Sequence, residues 1–180
     1  MTYHGGLATH KILILTPLAD NLSRTTAPFF ALPDHALVTL EGPDAAAFAQ
    51  AQFANDVAGL PVGQWQWNAW LTPKGRVMAV FALARLAEDR VWLVLPDHPA
   101  PAFVESLRRF VFRRKLKIEL PVDTTISGAF AVPLAAHGAT LAMDGGVLEL
   151  DWSGQGGPRT LRVGAPGVDD VAQQASWRAA

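Results

Sequence analysis

The chain has 180 residues, of which 50% are hydrophobic and 17% are charged, and its formal net charge is −1. These totals predict a globular chain with a sizeable core and exclude an intrinsically disordered one. The charge gives no overall attraction to nucleic acid or anionic lipid, so either partner would need a local patch. The sequence has no cysteine, which excludes disulfides and thiolate-ligated metals within these residues and fits a reducing cytosol.

Residues 1–30 form a lead-in that we expect to be poorly ordered, because untethered termini fray. Its apolar run, Ile12 to Leu15, is too short to cross a bilayer and is soon interrupted by Pro17. No other apolar segment reaches membrane length. We therefore expect a soluble, cytoplasmic protein without membrane partners.

The first helix is indicated by Gly42-Pro43-Asp44, which places proline at the first helical position and an acid in the first turn. The helix follows a β-prone run over 36–40 and should end near Asn55. Helical spacing gives it one apolar stripe, formed by Ala45, Phe48, Ala51 and Gln52. Gln52 is the polar member of that stripe, and so a candidate for contact with a ligand.

A three-stranded antiparallel meander is predicted next, over 64–68, 77–86 and 91–95. Trp65 and Trp67 alternate with polar residues and share one strand face. Thr72-Pro73-Lys74-Gly75 matches a type I turn between the first two strands. Lys74 and Arg76 stand at this bend, where they either keep the turn hydrated or line the mouth of a cavity and meet an anion.

The clearest helix follows, and its apolar stripe consists of Ala100, Phe103, Val104, Leu107, Phe110 and Val111. Six of the fifteen Lys and Arg residues lie at its C-terminal end: Arg108, Arg109, Arg113, Arg114, Lys115 and Lys117. These cations either interact with the helix dipole or form a contact surface for a polyanion such as RNA. We expect no stacking aromatics to interleave with them, as a single-strand binder would need.

The rest of the chain predicts strands over 116–120, 126–132, 140–143 and 147–150, then a helix from Val168 that carries Trp177. The order β-α-β-β-β-α-β, followed by more strands, indicates an α+β fold of mostly antiparallel sheets with flanking helices. Because the chain ends inside the last predicted helix, we expect it to be a portion of a longer protein.

Motifs of common catalytic sites are missing from the sequence. The five histidines are far apart, and we assign no metal site to them. There is no nucleophile elbow, no Walker A loop and no Gly-x-Gly-x-x-Gly that opens a helix, so we assign no catalytic residues. The six tryptophans are explained by core packing, although a stacking wall for a flat heterocycle is the alternative.

Three segments resemble the first half of the YgfZ-type folate-binding proteins, relatives of the glycine-cleavage T-protein (aminomethyltransferase): ALVTLEGPDAAAFAQAQFANDVAGL, AWLTPKGRVMAVFALARL and LRRFVFRRKLKIEL. The most specific pieces are Gln52-x-x-Asn55-Asp56-Val57 and Pro73-Lys74-Gly75-Arg76. The resemblance implies that residues 31–180 are the N-terminal portion of a T-protein-like folate-binding domain. The family's Lys-Gly-Cys-Tyr-x-Gly-Gln-Glu signature would lie beyond residue 180.

The resemblance implies a fold around a central cavity that holds tetrahydrofolate. It also implies a monomer that helps to maintain iron–sulfur enzymes, including one that modifies tRNA, with those enzymes or their assembly machinery as partners. Two family tryptophans that are linked to folate match Trp177 and, as a departure, His35, whose ring is smaller. Lys74 and Arg76 would then face the anionic folate tail.

This sequence departs from the T-protein pattern at two positions that concern catalysis. T-protein enzymes follow the hairpin turn with two acids, and Ala79 and Val80 stand at those positions here. Neither side chain can hold a proton, so we expect a folate-binding protein that is not an enzyme. Two alternatives stay open: an aminomethyltransferase-like one-carbon enzyme, and an RNA or protein docking module that uses the basic helix end.

Overall fold

The computed structural model describes residues 27–179, so the expected lead-in lies almost wholly outside the described residues. The described residues form ten strands and three helices. In chain order these are β1 (Phe30–Ala31), β2 (His35–Glu41), α1 (Ala45–Gln52), β3 (Gln64–Leu71), β4 (Val77–Ala87), β5 (Arg90–Pro96), α2 (Ala100–Arg108), β6 (Lys117–Glu119), β7 (Ile126–Ala129), β8 (Ala142–Asp144), β9 (Val147–Asp151), β10 (Thr160–Val163) and α3 (Val171–Ala179).

The strands form two antiparallel sheets. The central sheet has the order β3-β4-β5-β2-β6, and the second sheet has the order β1-β7-β10-β9-β8. The three helices flank them, which confirms the predicted α+β fold of mostly antiparallel sheets. Between residues 27 and 179, no helix is long and apolar enough to cross a membrane.

The central sheet is buried on both faces because β4 is apolar on both. Phe81 and Leu83 point to one side, into a core that also includes residues of α1 and α2. Ala82 and Ala84 point to the other side, into a core shared with the second sheet and Trp177 of α3. Alternating side chains of a strand face opposite ways, so one strand contributes to both cores.

The first helix is shorter than its sequence pattern suggests. It ends at Gln52, and Phe53 adopts extended backbone angles of −108° and 160°. Phe53 bridges to Trp70 of β3, and its ring centroid lies 4.7 Å from that of Phe81. Packing of one aromatic ring therefore ends the helix three residues before Asn55.

The second sheet departs most from the prediction. Its central strand, β10, pairs with both β7 and β9, whereas the sequence shows only a short strand-like run after Pro158. The strand expected over 126–132 ends at Ala129. Because four-residue strands such as β10 show only two alternations of side chains, their periodic signal is weak.

Candidate functional site

A cleft of about 810 Å³ opens at the end of the central sheet where β2 begins and β5 ends. Its walls come from four segments, within 31–37, 97–101, 120–126 and 166–167. The volume is within the usual range of small-molecule sites, roughly 300–1,000 Å³. The cleft is therefore large enough for a cofactor-sized ligand.

His35 is a partly buried polar residue of this cleft. Both of its ring nitrogens are buried, and neither has a hydrogen-bond partner among the described residues. Burial lowers the pKa of His35 from 6.5 to about 4, although the negative charge of Asp97 acts to raise it. A neutral imidazole offers one donor and one acceptor, and a ligand would hydrogen-bond both nitrogens only if the atoms that cover them moved.

Trp177 lies nearby but is packed into the core beneath α3. Its side chain is 5% exposed, and its ring centroid lies 5.7 Å from those of Phe30 and Phe130. A Cβ on Gly128 would lie 3.0 Å from the indole, so a side chain there would require the tryptophan to shift by a few tenths of an ångström. The guanidinium of Arg159 covers the ring at 5.6 Å from the ring centroid.

The structure brings His35 and Trp177 to one small cavity of about 10 Å³, although Trp177 does not line the large cleft. Arg178 closes this cavity by pairing with Asp34, and its Nε lies 4.0 Å from a carboxylate oxygen of Asp97. Such a cavity holds a water molecule at most. A flat ligand could therefore contact Trp177 only if Arg178 moved, and the folate contact of Trp177 stays a prediction.

The Thr72–Gly75 turn forms as predicted. Gly75 N donates to Thr72 O at 2.8 Å, and Arg76 N donates to Thr72 Oγ1 at 3.0 Å. Gly75 has a φ of +76°, which glycine adopts without strain. Lys74 and Arg76 are exposed, and they do not line the cleft.

Strand register nevertheless relates this turn to His35. Ala82 of β4 pairs with Val94 of β5, and His35 of β2 pairs with Pro96 of β5. The β3–β4 hairpin therefore extends past the same end of the sheet at which His35 stands. Lys74 and Arg76 therefore lie at the same end of the central sheet as the cleft but outside its lining.

Gln52 lies in a different place. It is half-buried and lines a groove of about 410 Å³ with Thr72, Pro73, Arg109 and Phe110, among others. This groove shares no lining residue with the cleft of His35. Ligand contact by Gln52 stays a prediction, and any such ligand would lie beside the hairpin and the end of α2.

Gln50, which the sequence analysis missed, organises the turn after α1. Its Oε1 accepts hydrogen bonds from Val57 N at 2.6 Å and from Ala58 N at 2.8 Å. An amide that satisfies two backbone donors holds a turn in place. The spacing of glutamine to a turn seven residues later is not a standard motif, so the sequence offered no signal for this bond.

The two positions at which T-protein enzymes are expected to carry acids point to opposite faces of β4. Ala79 is 5% exposed and belongs to the core on the helix side, whereas Val80 is 47% exposed. Within residues 27–179, no cluster of three or more His, Asp or Glu could hold a metal ion.

The second sheet contains a buried ion pair that was not predicted from the sequence. Glu149 accepts from Arg162 Nη2 at 2.8 Å and from the backbone N–H of Ala135 at 2.8 Å. Burial raises the pKa of Glu149, but these hydrogen bonds lower it more, so it lies below its ordinary value. Glu149 and Arg162 are directly opposite each other in the β9–β10 register. The sequence signal for this pair was the presence of one acidic and one basic residue in two otherwise apolar strands.

A family model for the GCVT N-terminal domain matches residues 23–132, which is more than half of the chain. The chain belongs to the GCVT N-terminal domain family. The GCVT match includes His35, Gln52 and the β3–β4 hairpin, whereas the Glu149–Arg162 pair and Trp177 lie outside it.

The GCVT-type fold is also seen in a solved structure, aminomethyltransferase T of the glycine cleavage system from Bartonella henselae. The TM-score is 0.66 at 18% identity, over 87% of this chain and 46% of that one. An "Uncharacterized protein" from Haemophilus influenzae is 25% identical over 92 residues, which cover 51% of this chain and 33% of that relative. The chain therefore spans less than half the length of either protein.

Proposed function

We propose that this chain is the N-terminal portion of a non-enzymatic protein that binds tetrahydrofolate and supports the maturation of iron–sulfur proteins, and thereby tRNA modification. In this proposal it acts in the cytoplasm as a monomer, with iron–sulfur enzymes or their assembly machinery as partners. The observation that carries the proposal is the cleft of about 810 Å³ around His35, within a GCVT-type fold.

The residues of the cleft fit a folate. The two unpartnered nitrogens of His35 match a pteridine, whose ring edge carries both donors and acceptors. Apolar side chains, including Leu32, Leu37 and Ile126, offer a surface for its flat faces. Tetrahydrofolate would supply the one-carbon carrier chemistry, while these side chains bind and orient the ring.

The charges at the hairpin fit the other end of the ligand. In the proposal, Lys74 and Arg76, which are exposed at the same end of the central sheet as His35, meet the glutamate tail of a bound folate. A contact near the surface is worth about 0.5–1 kcal/mol, so the tail would add selectivity more than affinity.

The proposal that the protein is not an aminomethyltransferase depends on Ala79 and Val80. Because neither can accept a proton, this hairpin offers no general base for aminomethyl transfer. We expect no turnover of an aminomethylated carrier protein in the presence of tetrahydrofolate. Measurable turnover would favour the alternative, a folate-dependent one-carbon enzyme.

Binding is tested by titrating the 180-residue chain with tetrahydrofolate, by calorimetry and by quenching of tryptophan fluorescence. His35→Leu removes both hydrogen-bonding atoms and should weaken binding at least tenfold, since each net hydrogen bond contributes about 0.5–1.5 kcal/mol. His137→Leu, at an exposed histidine outside the cleft, is the matched control. Equal affinity of His35→Leu and the unaltered chain would contradict the proposal.

The Trp177 contact needs a separate variant, because the indole is also a core residue. Trp177→Phe retains an aromatic ring and limits the damage to packing. If the indole contacts folate, this variant loses most of the fluorescence quenching while remaining folded by circular dichroism. Unchanged quenching would remove Trp177 from the proposed site and leave the role of His35 standing.

The cellular role is tested in a strain that lacks the gene. Activities of iron–sulfur enzymes and the tRNA modification that depends on one of them should fall, and the intact gene should restore them. The His35→Leu gene should restore them poorly. Normal iron–sulfur enzyme activities in the deletion strain would contradict this part of the proposal without affecting folate binding.

A further inference from the structure

The segment after α2 presents aromatic rings and cations together on the surface. We name it the basic–aromatic surface, and its members are Phe110, Phe112, Arg113, Arg114, Lys115 and Lys117. Phe112 is 87% exposed and Phe110 is 51% exposed, and all four cations are exposed. The expectation that no stacking aromatics interleave with these charges is therefore wrong.

Phe112 is held outward by the backbone rather than by packing. Its φ is +41°, a left-handed conformation that costs a side-chain-bearing residue free energy. Val111, just before it, is half-buried against the core on the helix side, and Arg114 N donates to Val111 O at 2.9 Å. A tight turn anchored at Val111 therefore displays the Phe112 ring to solvent.

The cations of this surface are available for a partner. Among the described residues, no carboxylate forms a salt bridge with Arg113, Arg114, Lys115 or Lys117. The guanidinium of Arg113 lies 5.3 Å from the centroid of the Phe112 ring. A phenyl ring with an arginine beside it offers a platform on which a base can stack.

Arg108 differs from these cations because it serves the fold. Its Nε and Nη2 donate to Ile118 O at 3.1 and 2.6 Å. This bond covers part of β6, which is an edge strand of the central sheet. Arg108 therefore stabilises the fold, and the cations available to a ligand come after it in the chain.

The groove beside Gln52 continues this surface. Phe110 lines the groove and is also half exposed, so the groove and the basic–aromatic surface meet at this ring. The amide of Gln52 lies in the same groove and can donate to and accept from a base edge. Positive charge, exposed rings and a groove with an amide thus lie side by side.

We propose that the basic–aromatic surface binds single-stranded nucleic acid. Phosphates would contact Arg113, Arg114, Lys115 and Lys117, and bases would stack on Phe112 and Phe110. A lipid surface fits less well, since only two apolar side chains project among the cations and membrane affinity grows with buried apolar area. The chemistry is shared by RNA and DNA, so the test includes both.

Fluorescence anisotropy with labelled twelve-nucleotide oligouridylate and oligothymidylate measures the binding. Phe112→Ala should weaken it about tenfold, because base–aromatic stacking contributes to affinity at each base. Arg113→Ala/Arg114→Ala should reduce the slope of log K against log salt by about 1.4, because each phosphate contact on a single strand contributes about 0.7. The tighter of the two oligonucleotides identifies the natural class.

A control separates local from overall charge. Arg113→Ala/Arg114→Ala changes the formal net charge from −1 to −3, and Val132→Glu/Val171→Glu, at two exposed positions elsewhere, makes the same change. Equal loss in both double variants would overturn the proposal, as would no binding by the unaltered chain. If the oligonucleotides do not bind but anionic phospholipid vesicles do, and vesicle binding is lost in Phe112→Ala, the surface binds membranes and the proposal is overturned. Tetrahydrofolate affinity should be unchanged in Phe112→Ala, because this surface does not line the cleft.

Discussion

The two faces of the central sheet are built from different chemistry. The face under α1 and α2 packs against a core of aliphatic and aromatic side chains. On the other face, the second sheet and α3 bring in five of the seven buried polar residues: Ser127, Glu149, Arg159, Thr160 and Gln174. The helix face therefore supplies stability through burial of apolar area, whereas the other face includes groups that must be hydrogen-bonded.

This difference indicates where a ligand is needed. A buried polar group without a partner costs free energy, so it is retained where it serves a purpose. Among the described residues, such atoms are both ring nitrogens of His35, Nε of Arg159, Nδ2 of Asn68, Nε of Arg85 and Nε1 of Trp92. His35 is the one among them that lines the cleft. Substitutions in the apolar core of the helix face test stability, and substitutions at His35 test stability and ligand binding together.

The largest expected effect is a loss of packing on the helix face. Phe103 is 1% exposed, and its ring centroid lies 5.3 Å from that of Trp70. Phe103→Ala should lower the free energy of unfolding by about 3–5 kcal/mol, because it leaves a cavity in an apolar core. Urea denaturation measures this loss, and Phe112→Ala, at an exposed phenylalanine, should stay within about 0.5 kcal/mol. A loss below 1 kcal/mol in Phe103→Ala would show that this face is not the stabilising one.

The next effect concerns pH and the cleft. The pKa of His35 is about 4 in the folded chain and 6.5 in the unfolded one. Stability from this group is therefore complete above pH 6.5 and declines as pH falls towards 4, where the unfolded chain binds a proton that the folded chain does not. The decline should reach about 3 kcal/mol at 1.36 kcal/mol per pKa unit.

His35→Leu isolates that contribution. The variant should show a flatter stability profile than the unaltered chain between pH 7 and pH 4, when urea denaturation is measured at each pH. Parallel profiles would mean that the imidazole is solvated or hydrogen-bonded in the folded protein. The cleft would then contain no buried histidine that needs a ligand as its hydrogen-bond partner.

The third effect is the loss of the buried ion pair on the second-sheet side. Arg162→Leu leaves the Glu149 carboxylate with two backbone donors only, and should cost about 2 kcal/mol at pH 7 because the pair is mostly buried. The folded pKa of Glu149 is depressed, so its stabilisation is present above 4.5 and is lost as pH falls through the lower folded value. The difference in the free energy of unfolding between Arg162→Leu and the unaltered chain should therefore become smaller as the pH falls below 4.5.

Arg109→Leu is the matched control for this comparison. Arg109 pairs with Glu105 on the exposed side of α2, and such pairs contribute about 0.2–1 kcal/mol. An equal cost for both variants would mean that burial does not strengthen the Glu149 pair. The proposed contrast between the two faces would then fail.

The helix face is also the part that could be predicted from the sequence. The meander, the Thr72–Gly75 turn and the apolar stripe of α2 have strong periodic or turn signals, and each is present. In the second sheet, the hairpin of β8 and β9 is predicted by its local pattern, whereas β1 and the pairing of β10 with β7 are not, because these strands are short and pair across long stretches of chain. The Glu149–Arg162 pair and the packing of Trp177 on Gly128 depend on those pairings, so local patterns could not supply them.

The residues of the proposed site also differ in how well their positions could be predicted from the sequence. His35 and the hairpin cations were chosen from residue type and resemblance, and strand register brings them to one end of the central sheet. Gln52 was chosen as a polar residue on a buried stripe, yet it lines another groove, because the last turn of α1 lies beside the hairpin and not beside the cleft. Helix periodicity predicts which face a residue shares, but not which other element that face meets.

The smallest expected effect is at the hairpin and concerns the tail of the ligand. If Lys74 and Arg76 meet the glutamate tail, Lys74→Ala/Arg76→Ala should weaken binding of tetrahydrofolate about two- to five-fold for each exposed contact, from roughly 0.5–1 kcal/mol. The loss should be larger for a triglutamate form, which carries more negative charge, and should fall with added salt because exposed charges are screened. Calorimetry with the mono- and triglutamate ligands at two salt concentrations measures both trends. Equal affinities for both ligands in the variant and the unaltered chain would assign the two cations to hydration of the turn, and the cleft around His35 would then bind its ligand without them.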